Sequence, residues 1–315
     1  TGAAFRYVVV GEITGTNDAV LRVSKTGTEW ADRTNAPATR TRVSAIAVSG
    51  ANWILASNAP ALYYGAVDDG TGVGPIGDNG TAWTASTQPA SPYEISALAV
   101  GPARVFALGL SSATGVGLYS DDDGVNWTAA SVSGTARGAD CYSAVYDGAY
   151  WVFCTGSGQS YSSTDGASFE YKSVFTATAA VWRLAVGAPG EVIAYRRTTG
   201  TTVGDFHRSI DGGDTWSTLS PSSTLKPVQI TSLRYASGQW IASSAVAPYL
   251  WSSNDLLSWR ALRPPVTGSA AYGVDAVAWD GSAWCAAGRS FALQCLRAPD
   301  PGDAAYDGED GGSTL

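Results

Sequence analysis

One polar turn recurs along this chain and limits what it can fold into. Ser209-Ile210-Asp211-Gly212-Gly213-Asp214-Thr215-Trp216 is repeated almost position for position by Ser120-Asp121-Asp122-Asp123-Gly124-Val125-Asn126-Trp127. Ser162-Ser163-Thr164-Asp165-Gly166-Ala167-Ser168-Phe169 has Thr where the Asp falls in those two. Ser252-Ser253-Asn254-Asp255-Leu256-Leu257-Ser258-Trp259 keeps Ser, an Asn and Trp and loses the Gly. Asp78 to Trp83 keeps the second half, and Ser24 to Trp30 is one residue short. The closing aromatics fall at 30, 83, 127, 169, 216 and 259, a period of 42 to 53 residues.

Each part of the turn has a physical reason. Ser and Asp side chains accept hydrogen bonds from nearby backbone amides. Gly supplies the positive φ of the bend. The aromatic buries a large apolar area. A period of this length filled with short strands reads as the blades of a β-propeller. The repeat resembles the Asp-box (bacterial neuraminidase) repeat, Ser-x-Asp-x-Gly-x-Thr-Trp. Ser120, Asp122, Gly124 and Trp127, with Ser209, Asp211, Gly213 and Trp216, come close to its full pattern. The resemblance implies a propeller with these turns between third and fourth strands, in a structural role.

Residues 95–132 show the grammar of one repeat. Ile95–Val100 alternates as a first strand, Arg104–Leu110 is a second, Val116–Ser120 a third, and the turn leads into a fourth. Complete repeats span 43–88, 95–132, 138–174, 181–220 and 229–264. Residues 5–33 match strands two to four, and 271–298 match strands one to three. The expected architecture is all-β: one propeller over 1–308, seven-bladed with six as the alternative, in four-stranded blades. Asp303 to Gly308 reads like the first-strand ending Ser143 to Gly148, so the C-terminal strand is expected to complete the first blade and close the ring. Residues 309–315 read as an acidic flexible tail. Met is absent, even at position 1, which leaves a removed leader open.

Composition excludes several classes. Charged residues make up 15% and the net charge is −8. Five acids, Asp300, Asp303, Asp307, Glu309 and Asp310, sit in the last 16 residues. Basic residues are scattered, so no nucleic-acid footprint is expected. No apolar run is long enough to insert in a membrane. The single His and the cysteine spacing argue against zinc, and neither a metal nor a cofactor is expected. Asp121-Asp122-Asp123 invites calcium, but the turn itself accounts for these acids. His207, on a third strand, reads as structural.

Cys141 and Cys154 flank the turn at Asp147-Gly148; a two-residue loop there sets 141 opposite 154. Cys285 and Cys295 are symmetric about Ser290. Both pairs are candidate disulfides of an oxidising compartment, with small buried thiols as the other reading.

Repeats aligned on Val48, Val100, Tyr146, Val186, Tyr235 and Trp279 place Arg42, Glu94, Asp140, Trp182, Gln229 and Asp275 at the rim where first strands begin. Two carboxylates beside an Arg are what a glycosidase needs; a solvated cluster of rim charges has the same composition. The long insertion Gly65–Gly80 adds a second candidate, with Tyr63, Tyr64, Asp68 and Asp69. The Arg triad and Phe/Tyr-Arg-Ile-Pro motif of Asp-box sialidases are not matched: Phe5-Arg6-Tyr7-Val8 lacks the Pro. The expected function is a non-catalytic binding or structural module in a phage virion or tail, extracellular or virion-borne. It would dock to other proteins of an assembly or to a surface glycan, in an oligomeric state the sequence leaves open. A secreted sialidase-like glycoside hydrolase and a secreted or periplasmic assembly factor are the alternatives.

Overall fold

In the computed structural model, antiparallel strands follow one another in chain order and fall into separate sheets. The structure describes residues 7–12, 19–24, 31–33, 43–57, 62–67, 83–89, 94–111, 114–133, 141–155, 158–174, 180–198, 204–221, 226–246, 249–262, 274–279, 281, 283–288 and 294–297. The first sheet holds β1 (Tyr7–Glu12), β2 (Ala19–Ser24) and β3 (Ala31–Arg33). The second holds β4 (Val43–Ser49), β5 (Asn52–Ser57), β6 (Leu62–Ala66) and β7 (Thr84–Ala85). The third holds β8 (Glu94–Val100), β9 (Val105–Ser111), β10 (Thr114–Ser120) and β11 (Thr128–Ala129). A short strand, β12 (Ser131–Ser133), then crosses to the fourth sheet. That sheet comprises β13 (Cys141–Tyr146), β14 (Trp151–Thr155), β15 (Gln159–Ser163) and β16 (Ser168–Val174). The fifth holds β17 (Ala180–Val186), β18 (Val192–Thr198), β19 (Gly204–Ser209) and β20 (Ser217–Leu219). The sixth holds β21 (Ile230–Ala236), β22 (Gln239–Ser244), β23 (Leu250–Ser253) and β24 (Arg260–Leu262). The last holds β25 (Val274–Trp279), β26 (Ala283–Gly288) and β27 (Gln294–Arg297).

The expectation of seven blades, or six, needs correction. Among the described residues five blades carry four strands of their own, and a three-stranded sheet stands at each end. The described part of the first repeat begins at Tyr7 and that of the last ends at Arg297, with three strands in each. The segments expected to close the ring, 302–308, and to form the tail, 309–315, lie outside the described residues.

Burial follows position within a sheet. β8 alternates, with Ile95, Ala97 and Ala99 buried and Glu94 and Val100 exposed. Second strands are buried on both faces, as in Trp151 to Thr155. A strand covered on both faces reads as a continuous apolar run. The core is accordingly divided into layers between consecutive sheets. Ile54, Ala56 and Leu62 of the second sheet meet Ile95, Val105, Ala107 and Leu118 of the third. Ile193, Tyr195 and Phe206 of the fifth meet Leu233, Trp240 and Trp251 of the sixth. Trp284, 1% exposed, belongs to the last such layer.

Inner strands pack side by side, β4 on β8, β8 on β13, β13 on β17, β17 on β21 and β21 on β25. Sheets are also joined at their outer edges. Beyond β7, the Thr87 N–H donates to Val125 O (2.9 Å) and Thr87 O accepts from the Trp127 N–H (2.8 Å). Beyond β11, β12 runs parallel to β16 of the next sheet. At these two junctions the chain leaving one sheet pairs with the outer part of its successor.

Candidate functional site

The recurrent turns lie at one end of the sheets, beside the turn between first and second strands; Ser120 is the register partner of Val105. In the third sheet the Ser120 hydroxyl donates to Asp122 Oδ1 (2.8 Å) and accepts from the Gly124 N–H (2.9 Å). Asp122 in turn accepts from the Asn126 N–H (2.8 Å) and side-chain amide (2.7 Å). Trp127 Nε1 donates to Gly124 O (2.9 Å). Ser209, Asp211, Gly213 and Trp216 repeat this arrangement, with Thr215 donating to Asp211. A Cβ on Gly213, whose φ is +88°, would lie 3.1 Å from Val152 of the preceding sheet.

Two turns read as degraded retain the same bonding one residue along. Ser163 donates to Asp165 Oδ1 (2.7 Å) and accepts from the Gly166 N–H (2.8 Å). Ser253 and Asp255 do the same, with Leu256 N–H donating to Ser253 (2.8 Å). Leu256 occupies the Gly position at a φ of 64°. Its side chain is buried against the preceding sheet with that of Trp259, an apolar contact that offsets a conformation costly for a residue with a Cβ.

These carboxyls titrate below the usual range. Partial burial of Asp122 and Asp211 raises the pKa, but hydrogen bonds from Asn126 and Ser120, and from Thr215 and Ser209, outweigh it. In Asp165 burial is outweighed by the Ser168 and Ala167 amides, the Ser163 hydroxyl and the charge of Arg104. In Asp255 the Ser258 amide is the leading cause of the lowering. His207 is buried on β19, and burial first, then Arg196, lowers its pKa against an opposing effect of Asp205. The sequence places it as a structural residue, and Thr218 Oγ1 lies 3.4 Å from its Nδ1.

Neighbouring turns also grip one another. The Ser49 hydroxyl donates to Asp123 Oδ1 (2.8 Å), and Asn52 Nδ2 to Asp123 O (3.1 Å). Arg104 forms a two-point pair with Asp121 (2.5 and 2.8 Å), donates to Asp165 O in the next sheet, and lies 4.2 Å from the centroid of the Tyr119 ring. Gly190 N–H donates to Asp147 O (3.2 Å).

At the opposite end, Glu94 is exposed at the start of β8. Gln229 stands just before β21 at a φ of 50° and accepts from the Ala245 N–H (3.1 Å). Asp275 lies half-buried where β25 shifts register between Val274 and Ala276. Trp182 lies on β17 with its side chain outside the described residues, as are Arg42 and Asp140 altogether. Of the Arg42, Glu94 and Asp140 cluster, the structure describes Glu94 alone.

What it does assemble there is a set of hydroxyls that functional reasoning missed. The same register shift occurs at Ser44, Ser96 and Thr231. Ser44 donates to Ala56 O (3.3 Å) and to Ile95 O of the next sheet. Ser96 donates to Leu108 O (3.1 Å). Thr231 O accepts from Arg183 Nε (2.8 Å). Recurrence of Ser or Thr four residues before the end of the first strand is the signal that marks them.

Tyr63 is corrected from a loop-binding candidate to core: it is 7% exposed, packs with Leu21, Leu55 and Trp83, and burial raises its pKa. Its alternation on β6 turns it inward. Tyr64 is half-buried; Asp68 and Asp69 lie outside the described residues.

The cysteine register is corrected in one hairpin. Cys154 pairs with Ser143 and Cys141 with Thr155. The loop has four residues, closed by Tyr146 opposite Trp151, and a bulge follows Cys141. Cys154 is a buried thiol. Cys285 is disulfide-bonded, and Cys295 stands opposite it in the strand register. Among the described residues, no three His, Cys, Asp or Glu side chains group as a metal site would require.

Sheets in meander, side by side on their inner strands with the core between them, define a β-propeller. Residues 79–247 match the DUF6242 beta propeller domain, more than half of the chain, and the chain belongs to that family. No curated protein matches the sequence. Among solved structures, YCF48 bound to D1 peptide is similar with a TM-score of 0.61 and 17% identity, over 95% of this chain and 93% of that one. The computationally designed Ika8 protein is similar with a TM-score of 0.60 and 11% identity, over 95% and 97%. An ancestral GH74 enzyme is similar with a TM-score of 0.53 and 12% identity, over 80% of this chain and 36% of the enzyme. At these identities the likeness is one of fold.

Proposed function

We propose that this chain is a non-catalytic binding and structural module whose partners are proteins of an assembly. The observation that carries the reading is how the polar side chains are used. Asp122, Asp165, Asp211 and Asp255 hold turn amides. Arg104, Arg196 and Arg208 are in ion pairs with Asp121, Asp205 and Glu191. Ser44 and Thr231 join inner strands. The chemistry is committed to the scaffold. A similar propeller, YCF48, has been solved with D1 peptide bound, which supports a protein ligand.

In our reading the turns are Asp boxes and the domain runs from 1 to 308. Residues 302–308 supply a strand beside β1, and 309–315 form an acidic tail. The setting is a phage virion or tail, extracellular or virion-borne; the low content of charged residues, 15%, and the disulfide at Cys285 support it. The rim residues Arg42, Glu94, Asp140, Trp182, Gln229 and Asp275 contact the partner, which is another virion protein in preference to a cell-surface glycan.

The test is cross-linking mass spectrometry on the tagged chain in its own host, with chromogenic sialyl and glucosyl substrates assayed alongside. The expected result is cross-links from the rim to structural proteins of one assembly, and no turnover. Turnover that disappears in Glu94→Gln or Asp140→Asn overturns the reading in favour of a sialidase-like hydrolase.

A further inference from the structure

The face that carries the recurrent turns is the one opposite Glu94, Gln229 and Asp275, and it combines two features. The inner strands end there in an apolar collar on successive sheets: Val48, Val100, Tyr146, Val186, Tyr235 and Trp279. Val48 is 43% and Val100 36% exposed, and the other four are half-buried. The remaining strongly exposed large hydrophobics among the described residues, Ile210 at 70% and Leu257 at 37%, lie in turns of this same face.

The second feature is charge. Around the collar stand the carboxylates of Asp122, Asp165, Asp211 and Asp255, all exposed. Among the described residues, three cations of this face are ion-paired, Arg104 with Asp121, Lys172 with Asp214 and Arg208 with Glu191, while Arg234 beside Tyr235 donates to Leu233 O and Arg260 stands opposite Ser252. Among the described residues no salt bridge reaches Asp122, Asp211 or Asp255, whose partners are turn amides, a hydroxyl or an amide side chain. An apolar centre within a charged rim is the anatomy of a protein interface. A rim of fixed negative charge repels nucleic acid and anionic lipid and attracts cationic polypeptide.

We infer that this face docks a polypeptide segment whose apolar side chains sit on the collar and whose Lys or Arg residues meet the surrounding carboxylates. The inference shares with the proposed function only the idea of a protein partner. It concerns the other end of the propeller, so the two fail separately.

The probe is a short fluorescein-labelled peptide with a central Leu-Trp-Leu flanked by Lys and Arg, titrated at physiological salt by anisotropy. Its control carries Glu for every Lys and Arg. The expected result is saturable binding of the basic peptide, weakened about tenfold in the double variant Val48→Asn, Val100→Asn and unchanged in Ser220→Ala, an exposed position beyond β20. A tenfold loss corresponds to about 1.4 kcal/mol, a reasonable size for two exposed apolar contacts. Hydrogen exchange on the wild type gives a readout that needs no variant: protection by the peptide is expected at Gly50–Asn52, Gly101–Arg104 and Asp147–Tyr150.

Equal binding of the acidic control, unchanged affinity in the double variant, or protection at the strand starts each overturns the inference. Collar-dependent binding of heparin or phosphatidylglycerol vesicles in place of the peptide overturns it as well. Loss of the Glu94 rim reading leaves these measurements untouched.

Discussion

Trp127 packs with Ile54, Ala56 and Leu62 of one sheet and Leu118 of the next while its indole N–H closes its own turn. Trp127→Ala is expected to cost about 3–5 kcal/mol, the range for a large buried aromatic, read by urea denaturation. Trp216 is only half-buried, so Trp216→Ala is expected to cost less; an unchanged midpoint in both removes the structural role of the turns. Acid acts on two kinds of group. His207 has a folded pKa below its unfolded value of about 6.5. Its contribution is complete above that pH and declines as pH falls toward the folded value. The turn carboxyls are lowered below about 3.9, so theirs is complete above pH 4 and lost below it. The melting temperature should fall in two stages between pH 7 and 3, with the upper stage absent in His207→Gln; a flat profile contradicts both assignments. At this scale the sequence was legible where motif and register agree, as at Ser120 and Ser209. It misled at Ser162 and Ser252 because an adjacent Ser stands beside each, and only backbone geometry selects Ser163 and Ser253.

The hairpin between β26 and β27 shows what local symmetry can predict. Cys285 and Cys295 stand opposite each other there, as their spacing about Ser290 requires. Arg289 lies between them, so an unreduced tryptic digest should yield the two cysteines in one linked species, separated by reductant. Separate masses without reductant contradict the pairing. Reduction is expected to lower stability by roughly 2–4 kcal/mol, the range for one disulfide. The hairpin between β13 and β14 defeats the same reasoning. Asp147 binds the Ala149 and Tyr150 amides through Oδ1 (2.9 and 2.7 Å), making a longer loop than Asp-Gly alone implies. Tyr146 then meets Trp151, ring centroids 4.2 Å apart. That aromatic contact recurs between Tyr235 and Trp240 and between Trp279 and Trp284. Trp151, Trp240 and Trp284, at the starts of second strands, are thus hairpin clasps.

At the scale of the molecule, the repeat period carried the fold: the five complete repeats coincide with the five sheets that have four strands of their own. The candidate rim was far less legible. Its residues were found by alignment on strand ends, and bulges at Ser44, Ser96, Thr231 and Asp275 interrupt the alternation that such an alignment assumes. Ring closure by 302–308 is tested by deleting 302–315. The truncated protein is expected to melt several degrees lower, since about 1 kcal/mol moves a domain of this size by roughly 2–4 °C. Identical melting, or amide exchange in 302–308 as fast as in a free tail, contradicts closure and leaves the inner edge of β1 to another segment or subunit.

The outer-edge pairing has a consequence for the nascent chain. Ser131–Ser133 leaves the ribosome before Ser168–Val174, the strand it will pair with, and Thr87 leaves before Asn126. The second and third blades therefore each hold out backbone groups on which the following one lands. At these two junctions the order of synthesis and the order of docking coincide.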